Sequence, residues 1–496
     1  MKKKKHTQAF FFLLVIICGI FPSFVAATPL SFENLTGSIG RGFGDTMNRY
    51  AFSMEEFNGD VYVGTWSVQF DYPGLAQSIL SGGFGGGLPT NPLAGITYLD
   101  STGGEIWKHS GGQNWTKVFE PGQTDTGFRK MVKFGNRLYA GSVNPDQGSK
   151  LYSSPDGVNW DPVAGWQTSR SSDNISIRTM TVYNGQLYVG TENNATGGEL
   201  WAYDGKLWAQ KKVFKDPSVA ELHVFNKNLY AGTWNFTDKF KFYQSNDGAS
   251  FNNVTPSFGG DALANVGVMK LIEYQGQLYL GTVNYQDGFT LLRTADPSNP
   301  KGWEVITTDG FGNPSNAYSW AMTEFENKLY LGTFNSGLFG GVIDQLLGLP
   351  VPLDGRAQLW GSNDGLTWGQ LVDDGFESRF TYGIRSMLVS DDQLFVGTAS
   401  NFFLYDPQTL LALFQSQAFQ ATLQQLFGNS PFDLAALTQQ LGALLQNLDP
   451  NWIGTQIYAG QLQPVPLPGA ILFLGSGFVL LFGIGRKPKK TRPSAH

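Results

Sequence analysis

FNGDVYVGTWS (57–67), FGNRLYAGSVN (134–144), YNGQLYVGTEN (183–193), FNKNLYAGTWN (225–235), YQGQLYLGTVN (274–284), FENKLYLGTFN (325–335) and SDDQLFVGTAS (390–400) are one eleven-residue phrase written seven times. In each copy one run closes on an aromatic residue or a serine, turn-forming residues follow, and an alternating run of the LYVGT kind leads away. That is the pattern of a β-hairpin. The phrase glycine recurs at Gly64, Gly141, Gly190, Gly232, Gly281, Gly332 and Gly397. Its spacing is 42 to 51 residues, apart from two longer steps that hold insertions, and a period of this length marks a four-stranded β repeat.

Beyond the phrase, repeat three continues with a third strand at 198–203, a turn at Asp204-Gly205 and a fourth strand at 208–214. The same turn recurs as SPDGVNW (154–160), SNDGASF (245–251) and SNDGLTW (362–368), and more weakly as HSGGQNW (109–115) and AYDGKLW (202–208). An Asp carboxylate there accepts turn amides, and the Gly takes a positive φ. Four strands in each of seven copies predict an all-β chain over 28–405, a seven-bladed β-propeller of four-stranded blades. Repeat seven offers strands at 384–389, 393–398 and 401–405 but no fourth. LSFENLTGSIG (30–40) nearly repeats ASFNNVTPSFG (249–259), so an N-terminal strand is expected to close the last blade and remove two open sheet edges.

The turns resemble the Asp-box of sialidase-like propellers, except that the Asp-box sets its Gly and Trp one residue further on. The resemblance implies architecture rather than sialidase chemistry.

The two ends read differently. Lysines at 2–5, an apolar run over 9–20 and Val25-Ala26-Ala27 form a signal peptide over 1–27, cut after Ala27. It carries the single cysteine, Cys18. Over 407–448 the apolar spacing turns helical, with Leu410, Leu413, Phe414, Leu434, Leu437 and Leu441 among its stripe, which predicts a C-terminal helical hairpin within 406–460. Residues 467–485 are uncharged and mostly apolar, long enough for a single transmembrane helix, and a basic tail follows over 486–492. Val465, Pro466, Leu467 and Pro468, then the apolar span, then the basic end, resemble the PEP-CTERM sorting signal in its VPLPA form, over 461–496, with Gly469 in place of the usual Ala. The resemblance implies a Gram-negative bacterium and an exosortase-type membrane protease as partner. It also implies transient anchoring in the inner membrane, removal of the tail, and delivery to the cell surface or the extracellular matrix.

The chain has 34 basic and 40 acidic residues, and nine of the basic ones but no acidic ones lie in the signal peptide over 1–27 and the sorting segment over 461–496. The acidic body that remains argues against nucleic acid as a partner, since phosphate contacts need clustered Lys and Arg.

Counting back from the residue before each hairpin turn places Arg129, Arg178 and Arg385 at one equivalent position, occupied elsewhere by Phe52, Ala220, Met269 and Trp320. Two outcomes are open. The guanidiniums converge at the channel mouth, on the face of the loops between second and third strands, and take carboxylates or sulfates; or each pairs with an acidic neighbour between blades. Met54, Met131, Met180, Met322 and Met387, two residues on, read as core. Trp66, Trp234 and Trp320, with the asparagines that end the second strands, suit a sugar ring, or the asparagines merely cap turns. Insertions at 68–104 and 336–356 are expected to overhang one sector of that face, and either pack on each other or form a docking surface or lid.

Only His109 and His223 lie in the body, too few for a His-metal cluster or a catalytic triad. No catalytic residue, metal site or cofactor is assigned. The expected function is an exported glycan- or protein-binding module without enzymatic activity. The alternatives are a hydrolase or lyase acting on extracellular polysaccharide, and a structural scaffold.

Overall fold

The computed structural model describes residues 30–70, 98–166, 172–258, 264–337, 355–378, 380–400 and 453–462. The chain divides into two compact units, Glu33–Ala459, and Met1–Phe32 together with Gly460–His496. In the described part of the smaller unit the Phe32 ring lies where a side chain on Gly460 would stand.

Each phrase forms the predicted hairpin. First and second strands pair as Asn48–Phe57 with Asp60–Ser67, Gly127–Phe134 with Arg137–Val143, Ser176–Tyr183 with Gln186–Glu192, and Ser218–Phe225 with Asn228–Trp234. The remaining three are Gly267–Tyr274 with Gln277–Val283, Asn316–Phe325 with Lys328–Asn335, and Thr381–Ser390 with Gln393–Ser400. At six of the turns both central residues have positive φ, as at Asn58 and Gly59 (54° and 84°) or Asp391 and Asp392 (48° and 56°). This geometry matches the twist of the flanking strands. The third strands are Ile106–His109, Leu151–Ser154, Glu199–Tyr203, Phe242–Ser245, Leu291–Thr294, Leu359–Ser362 and Ile457–Leu462. Each pairs with a short outer strand.

The connection between repeats corrects the expected seven-bladed β-propeller. Separate four-stranded sheets do not form. The end of each second strand bridges the start of the next repeat's first strand, at Trp66–Gly127, Val143–Ser176, Glu192–Ser218, Trp234–Gly267, Val283–Tyr318, Phe334–Gly383 and Ala399–Tyr50. All 28 strands therefore belong to one sheet, and the inner strands close into a 14-strand barrel that carries the outer hairpins. The phrase glycine permits this approach. A Cβ on Gly141, Gly232 or Gly332 would stand 2.5, 2.4 and 2.4 Å from Ile177, Val268 and Ile384 of the next repeat.

The closure of the ring is corrected too. Ile457–Leu462 takes the place of the third strand of repeat seven expected at 401–405, residues outside those described, and Leu30–Asn34 pairs with it as the expected closing strand. In every repeat the amide entering the third strand donates to a hydroxyl of the second. The pairs are Glu105–Thr65, Lys150–Ser142, Glu199–Thr191, Lys241–Thr233, Thr290–Thr282, Gln358–Thr333 and Gln456–Thr398. Gln456 thus identifies its strand by chemistry rather than by distance along the chain. Residues 457–462, grouped with the helical hairpin by sequence, are strand.

The short turn Arg41–Gly44 is helical, and among the described residues no helix is long and apolar enough to cross a membrane. The helical hairpin and transmembrane helix form no part of the described fold. Ala27, residues 407–448, the sorting motif at Val465, Pro466, Leu467 and Pro468, and residues 467–485 all lie outside the described residues.

The Asp-Gly turns are knitted as their composition requires. Asp156, Asp247 and Asp364 each accept amides two and three residues ahead at 2.7–2.9 Å. Those bonds hold their carboxyls below the usual range. At Gly157, Gly248 and Gly365 a Cβ would meet the hydroxyl of Tyr62, Tyr188 or Tyr279 of the preceding repeat. Gly248→Ala is therefore expected to cost at least ~2 kcal/mol, from a φ of 74° and a collision with the buried Tyr188 ring. Gly276→Ala, with φ 72° and nothing within 4 Å, should cost about 1 kcal/mol. Urea denaturation of the two variants checks this, and equal losses would refute the packing role.

Candidate binding site on the ring axis

The first strand of every repeat carries a β-bulge, and the bulge falls at the same place each time. Register shifts lie between Ala51 and Ser53, Phe128 and Lys130, Ile177 and Thr179, Val219 and Glu221, Val268 and Lys270, Ser319 and Ala321, and Ile384 and Ser386. A bulge leaves one residue unpaired and re-aims its side chain. Here those residues are Phe52, Arg129, Arg178, Ala220, Met269, Trp320 and Arg385, and all seven line one cavity of about 110 Å³. The residue after the bulge contributes Ser53, Lys130, Glu221, Lys270, Ala321 and Ser386 to the same lining.

The cavity brings together Arg129, Arg178, Arg385 and Trp320. It does not take in Trp66 or Trp234, which pack in the aromatic layer beside it. Phe52 stacks on Trp66 at 4.8 Å, Tyr318 on Phe334 at 4.3 Å, and Trp320 meets Phe334 edge-on at 5.1 Å. Hydroxyl contacts between Tyr50 and Tyr382, and between Tyr285 and Tyr318, tie the layer together. These residues come from the starts of first strands and the ends of second strands, so the layer fills the axis on the side of the second-to-third loops. The lining instead runs from the bulges toward the hairpin turns, through Met54, Met322 and Met387. Aromatic burial thus closes the expected face, and Arg129 and Arg178 reach toward that aromatic side, to Glu192 at the end of its second strand, with the Arg178 guanidinium 4.8 Å from the Trp234 ring. Three of the five methionines read as core border the cavity, while Met131 and Met180 are buried.

The asparagines ending the second strands are consumed internally. Asn144 and Asn235 donate to Asp125 and Asp216, and Asn193, Asn284 and Asn335 accept amides of the following turn. They cap, and do not present amides to a ligand.

Charge in and around the cavity is unbalanced. Glu192, a second-strand residue, receives Arg178 at 3.0 Å and Arg129 at 3.6 Å. Burial pushes its carboxyl up, but the two guanidiniums outweigh that and hold it below the usual range. Lys270 pairs with Glu221 at 2.8 Å. Arg385 and Lys130 make no hydrogen bond or ion pair among the described residues. The Arg385 guanidinium lies over Phe52 at 4.7 Å and Trp320 at 5.5 Å. Burial and the nearby Arg178 push it down to about 10, so it stays charged at neutral pH. Burial, then Lys270, also lowers the Lys130 amine. Pairing with an acid therefore holds for Arg178 and Arg129 and not for Arg385.

Glu192 and Lys130 were not among the sequence candidates. A signal existed for each. Glu192 is the only acid at the second-strand position otherwise held by Trp66, Val143, Trp234, Val283, Phe334 and Ala399, and Lys130 directly follows a singled-out arginine. His109 bonds the Gly112 carbonyl, and burial followed by Lys270 pushes His223 down to about 4. Among the described residues no cluster of acids and histidines could hold a metal ion.

No protein-family model matches the chain, and no curated protein matches it. Among solved structures it is similar to the one titled YCF48 bound to D1 peptide, at 13% identity and a TM-score of 0.44, covering 76% of this chain and 96% of that one. It is also similar to the computationally designed Ika8 protein, at 11% identity and a TM-score of 0.37, covering 71% and 81%. A novel α-L-arabinofuranosidase from Clostridium thermocellum matches at 12% identity and a TM-score of 0.28, covering 45% and 81%. Likenesses at this level carry no argument about ligand or reaction.

Proposed function

We propose that this chain is an exported, non-enzymatic binding protein whose axial cavity receives a small anionic group, a carboxylate or sulfate carried on an extracellular glycan. The observation that supports this is the pair of cations, Arg385 and Lys130, that make no hydrogen bond or ion pair among the described residues, in a cavity whose other cations are paired with Glu192 and Glu221. A desolvated charge costs several kcal/mol unless a counter-charge meets it. An overall acidic chain that gathers five cations around one small space has a use for an anion there. The size of the cavity suits a group of about four or five heavy atoms, since ~150 Å³ accommodates the six of benzene. It does not suit a whole sugar residue. The signal peptide over 1–27 and the PEP-CTERM-like segment over 461–496 support export and handling by an exosortase-type protease.

On an array of neutral, carboxylated and sulfated glycans, the wild type is expected to retain the anionic set alone. Arg385→Ala should bind about ten- to a hundredfold more weakly, the loss of charge-assisted hydrogen bonds. Retention of neutral glycans, or unchanged binding by Arg385→Ala, would overturn the proposal. Release of a cleaved product would replace it with the hydrolase or lyase reading.

A further inference from the structure

The geometry points to a second use of the same cavity, resting on the anion-binding reading above: it takes a 2-oxo acid, with Arg385 receiving the carboxylate and the Lys130 amine forming an imine with the carbonyl carbon. A sulfate would use only the charge of the site. Lys130 adds something an anion does not need, a primary amine that lines the cavity without a hydrogen bond or ion pair among the described residues. The other lysine of the lining, Lys270, is held by Glu221 at 2.8 Å.

Position explains the difference. Lys130 and Lys270 occupy the same place in their strands, one residue after the bulge. Glu221, at that place in repeat four, reaches only one of them. Lys130 has Lys270 and Arg385 as positive neighbours and Glu221 and Glu55 as negative ones, none bonded to it, and burial followed by Lys270 outweighs the acids and lowers its affinity for a proton. A larger neutral fraction is what a carbonyl-attacking amine requires. Pyruvate is the smallest 2-oxo acid of this kind with a methyl group. Phe52, Trp320 and the methionines supply an apolar wall for its methyl end.

The step balances without a co-reactant. The Lys130 lone pair attacks the carbonyl carbon, a C–N bond forms, and the π pair moves to oxygen. That oxygen takes up the protons that leave nitrogen and departs as water, leaving C=N. The Lys270–Glu221 pair stands beside it as a donor and acceptor for those protons.

The test is reductive trapping on the whole protein. With pyruvate and borohydride, intact mass is expected to rise by pyruvate less one oxygen, and peptide mapping should place the increment on Lys130. Excess sulfate should suppress the adduct in the wild type. Lys130→Arg, which keeps the charge, should lose the adduct and still bind sulfate by calorimetry. Sulfate binding by the wild type without any adduct overturns the imine and leaves the anion site standing. An adduct that survives Lys130→Arg or excess sulfate overturns it as well. If neither sulfate nor pyruvate binds, the anion reading falls and the imine with it.

Discussion

Deleting residues 28–40 is expected to abolish the cooperative melt of the ring, or to lower its stability by about 5 kcal/mol or more. The reason is how much of the closure runs through Glu33–Ser38. The Leu35 amide donates to the Ile457 carbonyl at 2.8 Å, and its own carbonyl receives the Trp115 indole at 2.9 Å. Thr36 is fully buried and its hydroxyl accepts the Ile457 amide, while the Ser38 amide donates to Gln113 at 2.9 Å. Leu35, 3% exposed, packs with Phe43, Trp107, Phe395 and Ile457, worth roughly 2 kcal/mol by burial alone, and each lost hydrogen bond adds about 1 kcal/mol. Without the segment, Ile457–Leu462 becomes an open sheet edge inviting association. Calorimetry and light scattering of the truncated chain test this, and an unchanged melting temperature would show that the N-terminal strand closes nothing.

Glu192→Gln should cost about 3 kcal/mol, although the residue is not at the centre of a core. Its carboxylate is the shared counter-charge of Arg178 and Arg129, and the amide leaves two guanidiniums facing one cavity that already holds Arg385 and Lys130. Chemical denaturation gives the loss. Pairing the change with Arg178→Met should restore part of it, the coupling expected of groups in direct contact. The acid response follows from the same pair. The folded carboxyl titrates below its ordinary value near 4.5, so its contribution is complete above that value and is lost as pH falls through the folded one. Glu192→Gln should flatten that part of the stability profile, and an unaltered acid limb would contradict the ion pair.

How much of this could be read from residues alone differs from element to element. The hairpins were legible because their turns are local: Asn58-Gly59 and Asn184-Gly185 dictate positive φ whatever surrounds them. The equivalence of Arg129, Arg178 and Arg385 was legible because a strand counts in fixed steps from its turn. The last third strand was not, because Ser400 and Ile457 are joined only in space. A glycine at positive φ two residues before the amide that enters the strand, Gly454 before Gln456 as Gly103 before Glu105 and Gly197 before Glu199, was its one local mark.

The sequence by itself determined seven hairpins, their register and the seven residues that stand at equivalent places on the axis, since turn chemistry and the alternation of a strand act over a few residues. Only the tertiary structure decided that bridges between repeats would merge the sheets into one barrel and that aromatic side chains would close one end of the axis. It also decided that a glutamate from a neighbouring strand would neutralise two arginines and not the third. Those outcomes depend on which side chains meet across the ring, and Coulomb attraction and packing are settled by distances that no spacing along the chain contains.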